Sequence, residues 1–218
     1  MRAKFFLFAL VLVAACLSFT QVKTKKFLDY FQDYKADSLV IVSSGSSEFK
    51  EDPSTPVTER GVSIDTSHFH VFKNDVADDL LYFSTTDGET GPMAYYKIKL
   101  NAASGYYLLL LRSGGEYWNS RFYACLYNSG EKKITETLLV AEYFGDAGDE
   151  FICSSKLIKQ DKEWTIYSHE YYQEPIDFHK YETDSLKITE VDRTTILELK
   201  DDHYHFKETS HQSKNFIK

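Results

Sequence analysis

Two pairs of histidines have the residue type and spacing that could do chemistry. His68 and His70 flank a single residue, and so do His203 and His205. Strand residues two positions apart face the same side, so each pair could present two imidazoles to Zn²⁺ or Cu²⁺. A site that used all four would also need the first and last strands to be adjacent, as in a closed barrel. We favour the alternative, in which the neighbouring apolar residues face the core and the imidazoles face water.

A pair of aromatic residues is the second candidate site. Tyr117 and Trp118 follow Gly114 and Gly115, which places both rings beside a loop. Tyr and Trp side chains suit surfaces that are apolar on one side and wet on the other, and they could stack on a sugar or on a partner protein. The plainer explanation is cross-strand packing within a sheet. Tyr117 and Trp118 are therefore candidate ligand-binding residues, with packing as the alternative.

The sequence carries no motif of a known catalytic or cofactor site. It has no Gly-x-Ser-x-Gly elbow, no P-loop, no Gly-x-Gly-x-x-Gly and no His-Glu-x-x-His. Among 33 acidic residues, two carboxylates could lie at the separation that a glycosidase uses, but sequence does not fix that distance. We predict no cofactor and do not favour an enzyme.

The N-terminus has the three parts of a secretory signal. Arg2 and Lys4 precede an unbroken apolar run from Phe5 to Val13, and two small residues follow it. The run is too short for a membrane span, which needs roughly 20 apolar residues. Residues 1–15 are therefore predicted to be a signal peptide.

The end of this segment, Val13-Ala14-Ala15-Cys16, resembles the bacterial lipobox. The resemblance implies that Cys16 is lipidated and becomes the first residue of the mature chain, with residues 16–23 as a tether. Two or more acyl chains make a stable anchor, so the membrane is the implied partner and the bacterial cell envelope the implied location. An ordinary signal peptidase would accept the same small residues, and the protein would then be secreted and soluble.

The charge balance narrows the possible partners. The chain has 25 basic and 33 acidic residues, a net charge of −8, and loss of Arg2 and Lys4 with the leader makes it −10. Such a chain repels phosphate backbones, so nucleic acid is not expected as a partner. An envelope protein or a carbohydrate is a more suitable partner for the exported domain.

Residues 24–63 are predicted to hold one helix, a short strand and a polar loop. Four aromatic residues between Thr24 and Lys35 recur at the spacing of one helical face: Phe27, Tyr30, Phe31 and Tyr34. This pattern predicts a short amphipathic helix. A strand from Ser38 to Ser43 follows, and then a polar stretch that contains Gly45, Pro53 and Pro56.

From residue 64 to residue 210 the pattern is that of an antiparallel all-β domain, followed by a tail at 211–218. Short β-branched and aromatic runs are separated by turn residues, which favours a meander that forms a β-sandwich or a partly closed barrel. The segment from Tyr106 to Leu111 is apolar on both faces and is predicted to be a central, doubly covered strand. The predicted strands are 68–72, 79–85, 93–100, 106–112, 118–127, 133–144, 150–159, 164–172, 185–191 and 195–206.

Cys125 and Cys153 are the two thiols that remain after Cys16. An exported pair could form a disulfide. If a strand separates them, their backbones lie about 9.6 Å apart, whereas a bridge needs Cα atoms within about 7 Å. We favour two buried, unreactive thiols.

These patterns leave three functions open. The first is a non-enzymatic exported envelope lipoprotein with a β-sheet binding or structural domain. The second is a lipocalin-like carrier of a small apolar ligand, which would need a cavity of about 300 Å³ or more lined by inward rings. The third is a hydrolase that acts on envelope polysaccharide, which would need two carboxylates that converge in a cleft.

Overall fold

The computed structural model describes residues 25–42, 61–72, 77, 80–81, 91–101, 105–113, 120–146, 149–161, 163–176 and 185–218. Within these residues eleven strands form one sheet that does not close into a barrel, which confirms the all-β class. The strands are β1 (Gln32–Asp33), β2 (Ser38–Val42), β3 (Val62–Ser63), β4 (Met93–Lys99), β5 (Tyr106–Arg112), β6 (Ser120–Asn128), β7 (Lys133–Asp146), β8 (Asp149–Gln160), β9 (Glu163–Pro175), β10 (Leu186–Lys200) and β11 (His203–Ile217).

Strands β4 to β11 form the expected antiparallel meander, in which each strand pairs with the next along the chain. β10 and β11 are longer than predicted. β10 continues through residues 192–194, where a break between strands was expected. The turn lies instead at Asp201 and Asp202, whose left-handed φ angles are 50° and 64° respectively. Residues 211–217 consequently belong to β11 and are not a tail.

The sheet bends where β7 changes partner. β7 pairs with β8 only from Glu142 to Asp146, and its earlier residues pair with β6 alone. β2 pairs with β8 along the edge that β7 does not occupy, opposite Ser154 to Ile158. The short N-terminal strands are therefore part of the same sheet as the meander.

Two apolar cores cover the two faces of β4–β6. The inner core packs these strands against β2 and β8–β10, and the outer core packs them against N-terminal segments. Residues of β5 enter both: Leu108 and Leu110 lie in the inner core, and Leu109 and Leu111 in the outer core. The prediction of a central strand buried on both faces is confirmed.

The predicted N-terminal helix is reduced to a 3₁₀ helix at Phe27–Tyr30, followed by β1, which pairs in parallel with β4. The aromatic stripe divides between the cores: Phe27 and Phe31 enter the outer core, whereas Tyr34 packs against the inner core. One α-helix would keep these rings on a single face, so the chain extends after Tyr30 instead. Among the described residues, no helix has the length and apolarity that crossing a bilayer requires.

The strand predicted at His68 to Phe72 is wrong. A 3₁₀ helix runs through Thr66–Val71, and the Asp65 carboxylate caps it by accepting a 2.8 Å hydrogen bond from the Ser67 amide. Such a cap favours a helical turn over an extended strand. Of the strand predicted at 79–85, residues 79 and 82–85 lie outside the described part of the chain, and Leu80 and Leu81 lie in a turn.

Cys125 on β6 and Cys153 on β8 are buried free thiols with β7 between them. Burial raises the pKa of the Cys125 thiol far above its ordinary value. Burial, and then the neighbouring carboxylates of Glu170 and Glu142, raise the pKa of Cys153 to about 12. Because the thiolate is the reactive form, both groups should be inert in the folded chain.

We therefore expect neither Cys125 nor Cys153 to react with 5,5′-dithiobis(2-nitrobenzoate) at pH 8 before the protein unfolds, and both to react in guanidinium. Folding should slow the reaction at least about 100-fold, since both thiolate character and access are lost. Fast reaction of the native protein, or a non-reduced mass that is lower by two hydrogens, would contradict this assignment.

Candidate functional site

A cleft of about 720 Å³ lies between the two 3₁₀ helices and the outer face of β4–β6. Three segments that are far apart in the sequence form its walls: the N-terminal 3₁₀ helix, the Thr66–Val71 3₁₀ helix and the β6–β7 hairpin. It is lined by Lys26, Phe27, Leu28, Asp29, His68, His70, Val71, Lys97, Tyr107, Tyr127, Ser129 and Lys132.

Aromatic packing holds the N-terminal wall in place. The Phe27 ring lies 5.0 Å from the Tyr127 ring, 5.3 Å from Phe31 and 5.7 Å from Phe72, measured between centroids. These tilted and edge-to-face contacts are favourable geometries for aromatic pairs. Phe27 is buried by them, while Tyr107 and Tyr127 line the cleft beside it.

Lys97 fastens the N-terminal segment to β4. Its ammonium donates hydrogen bonds to the carbonyl oxygens of Leu28 at 2.9 Å and Phe31 at 3.1 Å, and lies 3.8 Å from the Asp33 carboxylate. The two carbonyls belong to the short 3₁₀ helix and its C-terminal cap, where backbone acceptors lack helical partners. A lysine from a neighbouring strand therefore completes the end of this helix.

His68 and His70 lie on the second wall, and each makes a hydrogen bond to a backbone carbonyl. The His68 Nε2 atom donates to the carbonyl oxygen of Lys25 at 2.7 Å and so joins the two 3₁₀ segments. The His70 Nδ1 atom donates to the carbonyl oxygen of Ser67 at 2.9 Å. Because a carbonyl oxygen only accepts, these bonds require a proton on Nε2 of His68 and on Nδ1 of His70.

The third wall is the β6–β7 hairpin, which Asn128 orders. The Asn128 Oδ1 atom accepts hydrogen bonds from the amides of Gly130 at 2.9 Å and Glu131 at 3.2 Å. Lys132 follows with a left-handed φ of 56°. Glu131 is engaged by Lys133 at 2.6 Å and by the Asn128 amide at 2.9 Å.

The cleft is cationic although the protein is acidic. Three lysines and one aspartate line it, whereas the whole chain carries −8. Within the described residues, neither the Lys26 ammonium nor the Lys132 ammonium forms an ion pair. Burial, and secondarily the neighbouring Tyr107, raise the pKa of the Tyr127 hydroxyl, which therefore stays neutral beside these cations. The combination suits an anion that also carries an apolar part.

His203 and His205 have a different role from the one considered for a metal site. His203 Nδ1 lies 2.6 Å from the Tyr106 hydroxyl, and His205 Nδ1 donates to the Glu136 carboxylate. The second Glu136 oxygen accepts a 2.8 Å hydrogen bond from the Phe206 amide, so these contacts tie the start of β11 to β5 and β7.

The structure does not combine the two histidine pairs in one metal site. His68 and His70 lie on a 3₁₀ helix at the cleft, and His203 and His205 lie on β11. In the described part of the chain, no group of three or more His, Cys, Asp or Glu side chains is placed to hold a metal ion. The other candidates, Cys16, Tyr117 and Trp118, lie outside the described residues.

Two carboxylates flank Cys153 in one row across the sheet, Glu142 on β7 and Glu170 on β9. Each is held by an arginine: Glu142 lies 2.6 Å from Arg121, and Glu170 lies 3.0 Å from Arg193. A polysaccharide hydrolase needs one carboxyl group that carries a proton to the leaving group. Both carboxylates are engaged by guanidinium groups and neither is placed to meet a substrate oxygen, so this row does not support such a reaction.

No protein-family model, curated protein or solved structure matches this chain. The assignment of a function therefore depends on the geometry of the chain itself. Sequence reasoning missed the lysines of the cleft, because Lys26, Lys97 and Lys132 come from three distant segments and form no local motif.

Replacing Lys97 with methionine should lower the free energy of unfolding by about 2–4 kcal/mol. The change keeps the apolar stem and removes both hydrogen bonds, and each unsatisfied buried polar group costs about 1–3 kcal/mol. Urea denaturation measures the change, and limited proteolysis should cut between residues 25 and 35 more readily. The matched Lys99→Met variant alters an exposed lysine on the same strand and should change stability by less than about 0.5 kcal/mol. Equal effects from the two variants would contradict the role given to Lys97.

Proposed function

We propose that this chain is an exported, acyl-anchored envelope protein that binds a small anionic ligand with an apolar part in the cleft beside its N-terminal segment. The observation that carries the proposal is a cationic, aromatic cleft of about 720 Å³ in a chain of net charge −8. Its volume is within the range of roughly 300–1,000 Å³ that small-molecule sites occupy.

The charge pattern supports an anion. Lys26 and Lys132 approach the cleft from different walls, and neither forms an ion pair within the described residues. A unit charge at 4 Å contributes about 1 kcal/mol in water and more where water is partly excluded. The acidic remainder of the surface repels anions, so favourable contacts concentrate in the cleft.

The aromatic wall supports an apolar part in the ligand. Phe27, Tyr107 and Tyr127 offer ring surface, and Val71 adds an aliphatic side chain. Binding sites for small molecules are mostly apolar, with a few polar groups that fix orientation. A carboxylate or sulfonate attached to a ring or a short chain fits this distribution.

If the protein carries a ligand, the cleft places that ligand elsewhere than a lipocalin-like carrier would. A lipocalin-like carrier holds its ligand inside the sheet, but here the inner core is filled by side chains such as Leu108, Leu126 and Ile166, which are buried. The ligand would instead lie on the outer face, under the N-terminal segment. That segment follows the predicted tether at 16–23, which would place the cleft close to the membrane surface.

Export and anchoring are tested at Cys16. In a bacterial host that processes lipoproteins, the full chain should lose residues 1–15 and gain the mass of its acyl chains. The Cys16→Ala variant, or treatment with globomycin, should leave the precursor uncut. Intact mass spectrometry of the membrane fraction separates these outcomes, and an unlipidated chain cut elsewhere would support plain secretion instead.

Ligand binding is tested with 1-anilinonaphthalene-8-sulfonate, which joins aromatic rings to one sulfonate. We expect one molecule to bind per chain, with a Kd that rises with salt. The double variant Lys26→Glu, Lys132→Glu should raise that Kd at least tenfold, because two attractive charges become repulsive. Fluorescence titration and equilibrium dialysis give the Kd and the stoichiometry.

The matched control is the double variant Lys214→Glu, Lys218→Glu, which changes the net charge equally at the C-terminal end of the described chain, on residues that do not line the cleft. It should leave the Kd within about twofold, as expected when long-range charge is screened at physiological salt. Equal weakening by both double variants would show that net charge and not the cleft governs binding, and would overturn the proposed site.

A further inference from the structure

A serine, a histidine and an aspartate lie side by side on the outer face of β8, β9 and β10. The register places Ser154 directly opposite His169, and His169 directly opposite Asp192. Directly opposed residues on one face of an antiparallel sheet have Cβ atoms about 4.5–5.5 Å apart. The three side chains therefore form one continuous row that crosses three strands.

His169 is oriented within this row by Asp192. The His169 Nδ1 atom lies 2.8 Å from the Asp192 Oδ1 atom. A carboxylate only accepts, so Nδ1 carries a proton, and in the neutral ring Nε2 then has the lone pair. Nδ1 faces Asp192 on β10, and the register places Ser154 on the other neighbouring strand of His169, β8.

Ser154 is available for reaction. Its side chain is half-buried, and within the described residues its hydroxyl makes no hydrogen bond. The adjacent Ser155 differs, because its side chain faces the interior and lies 2.8 Å from the Ser168 hydroxyl. The hydroxyl that the register places opposite His169 is thus one without a hydrogen bond among the described residues.

The row lies in a groove of about 440 Å³. Val40 and Val42 of β2 and Tyr167 of β9 supply apolar walls, and Lys156 lies two residues beyond Ser154 on the same face. Val42 and Tyr167 are both partly exposed at this surface. A short acyl group could lie against these side chains while its carbonyl oxygen faces the Lys156 ammonium.

We propose that Ser154, His169 and Asp192 form a nucleophilic site for short, neutral acyl esters, a chemistry beyond ligand binding in the cleft. Ser154 Oγ forms a bond to the acyl carbon as its proton passes to His169 Nε2. The bond to the leaving alcohol breaks, and the alcohol takes that proton. Water then repeats the sequence on the acyl-serine and releases the carboxylic acid.

The chemistry here should be slow. The backbone amides of β8 and β9 are used in the sheet, so the Lys156 ammonium replaces a backbone oxyanion hole. His169 and Asp192 are about half exposed, and solvent weakens their mutual interaction. A base of this kind accelerates acyl transfer by about 10²–10⁴-fold in favourable sites, and we expect the lower part of that range.

The test uses a fluorophosphonate probe and p-nitrophenyl acetate with the purified full chain. We expect one probe adduct per chain, located at Ser154 by peptide mapping, and a burst of p-nitrophenol. Ser154→Ala should abolish the adduct, and His169→Asn should slow labelling at least tenfold. The controls Ser213→Ala and His211→Asn change the same residue types on exposed β11 and should have no effect.

If the reactivity of the Ser154 hydroxyl is below detection, a thiol at the same position tests whether His169 activates residue 154. In Ser154→Cys, iodoacetamide should alkylate residue 154 at least tenfold faster than in the variant that also carries His169→Asn, since His169 is the imidazole base that the register places opposite residue 154. Equal alkylation rates, an adduct at any other residue, or labelling that survives Ser154→Ala would overturn the proposal.

Discussion

The structure depends on one strand that cannot expose either face. β5 carries Tyr106 to Leu111, and its leucines alternate between the inner and outer cores. An antiparallel sheet with one apolar face needs a packed layer on that face only, but this strand is apolar on both faces and needs a layer on each. The bend at β7 supplies the inner cover by bringing β8–β10 over β5, and the N-terminal segments supply the outer cover.

The candidate cleft follows from the second cover. The N-terminal 3₁₀ helix and the Thr66–Val71 3₁₀ helix are too short to bury the outer face completely, and the space between them and β4–β6 becomes the cleft. Polar ties hold this cover in place: Lys97 completes the first helix, and His68 joins it to the second. The proposed ligand site and the covering segments therefore depend on the same contacts.

Local pattern was sufficient to predict most strands from the sequence. Alternation and turn residues located β2 and β4 to β9 closely, and the apolar run at 106–111 identified the central strand. The N-terminal helix was predicted wrongly because helical spacing does not reveal that Phe27 and Tyr34 pack into different cores. The β10–β11 turn was missed because Asp201-Asp202 carries no glycine, although both residues adopt left-handed backbone angles.

The site residues were less accessible to sequence reasoning than the strands. Lys26, Lys97 and Lys132 meet only because the outer cover folds back on β4–β6. Ser154, His169 and Asp192 become neighbours only through the register of three strands, which no local motif encodes. The histidine pairs were visible in the sequence, but their hydrogen bonds to Lys25, Ser67, Tyr106 and Glu136 were not.

Native-state hydrogen exchange tests the double burial of β5 most directly. If both cores close on this strand, the amides of Leu108 to Leu111 should exchange only through global unfolding, with an opening free energy equal to that from urea denaturation. The amides of β11 beyond Phe206, which are exposed, should open at a much lower free energy. An opening free energy for the β5 amides as low as that for the β11 amides would contradict the burial of β5 on both faces.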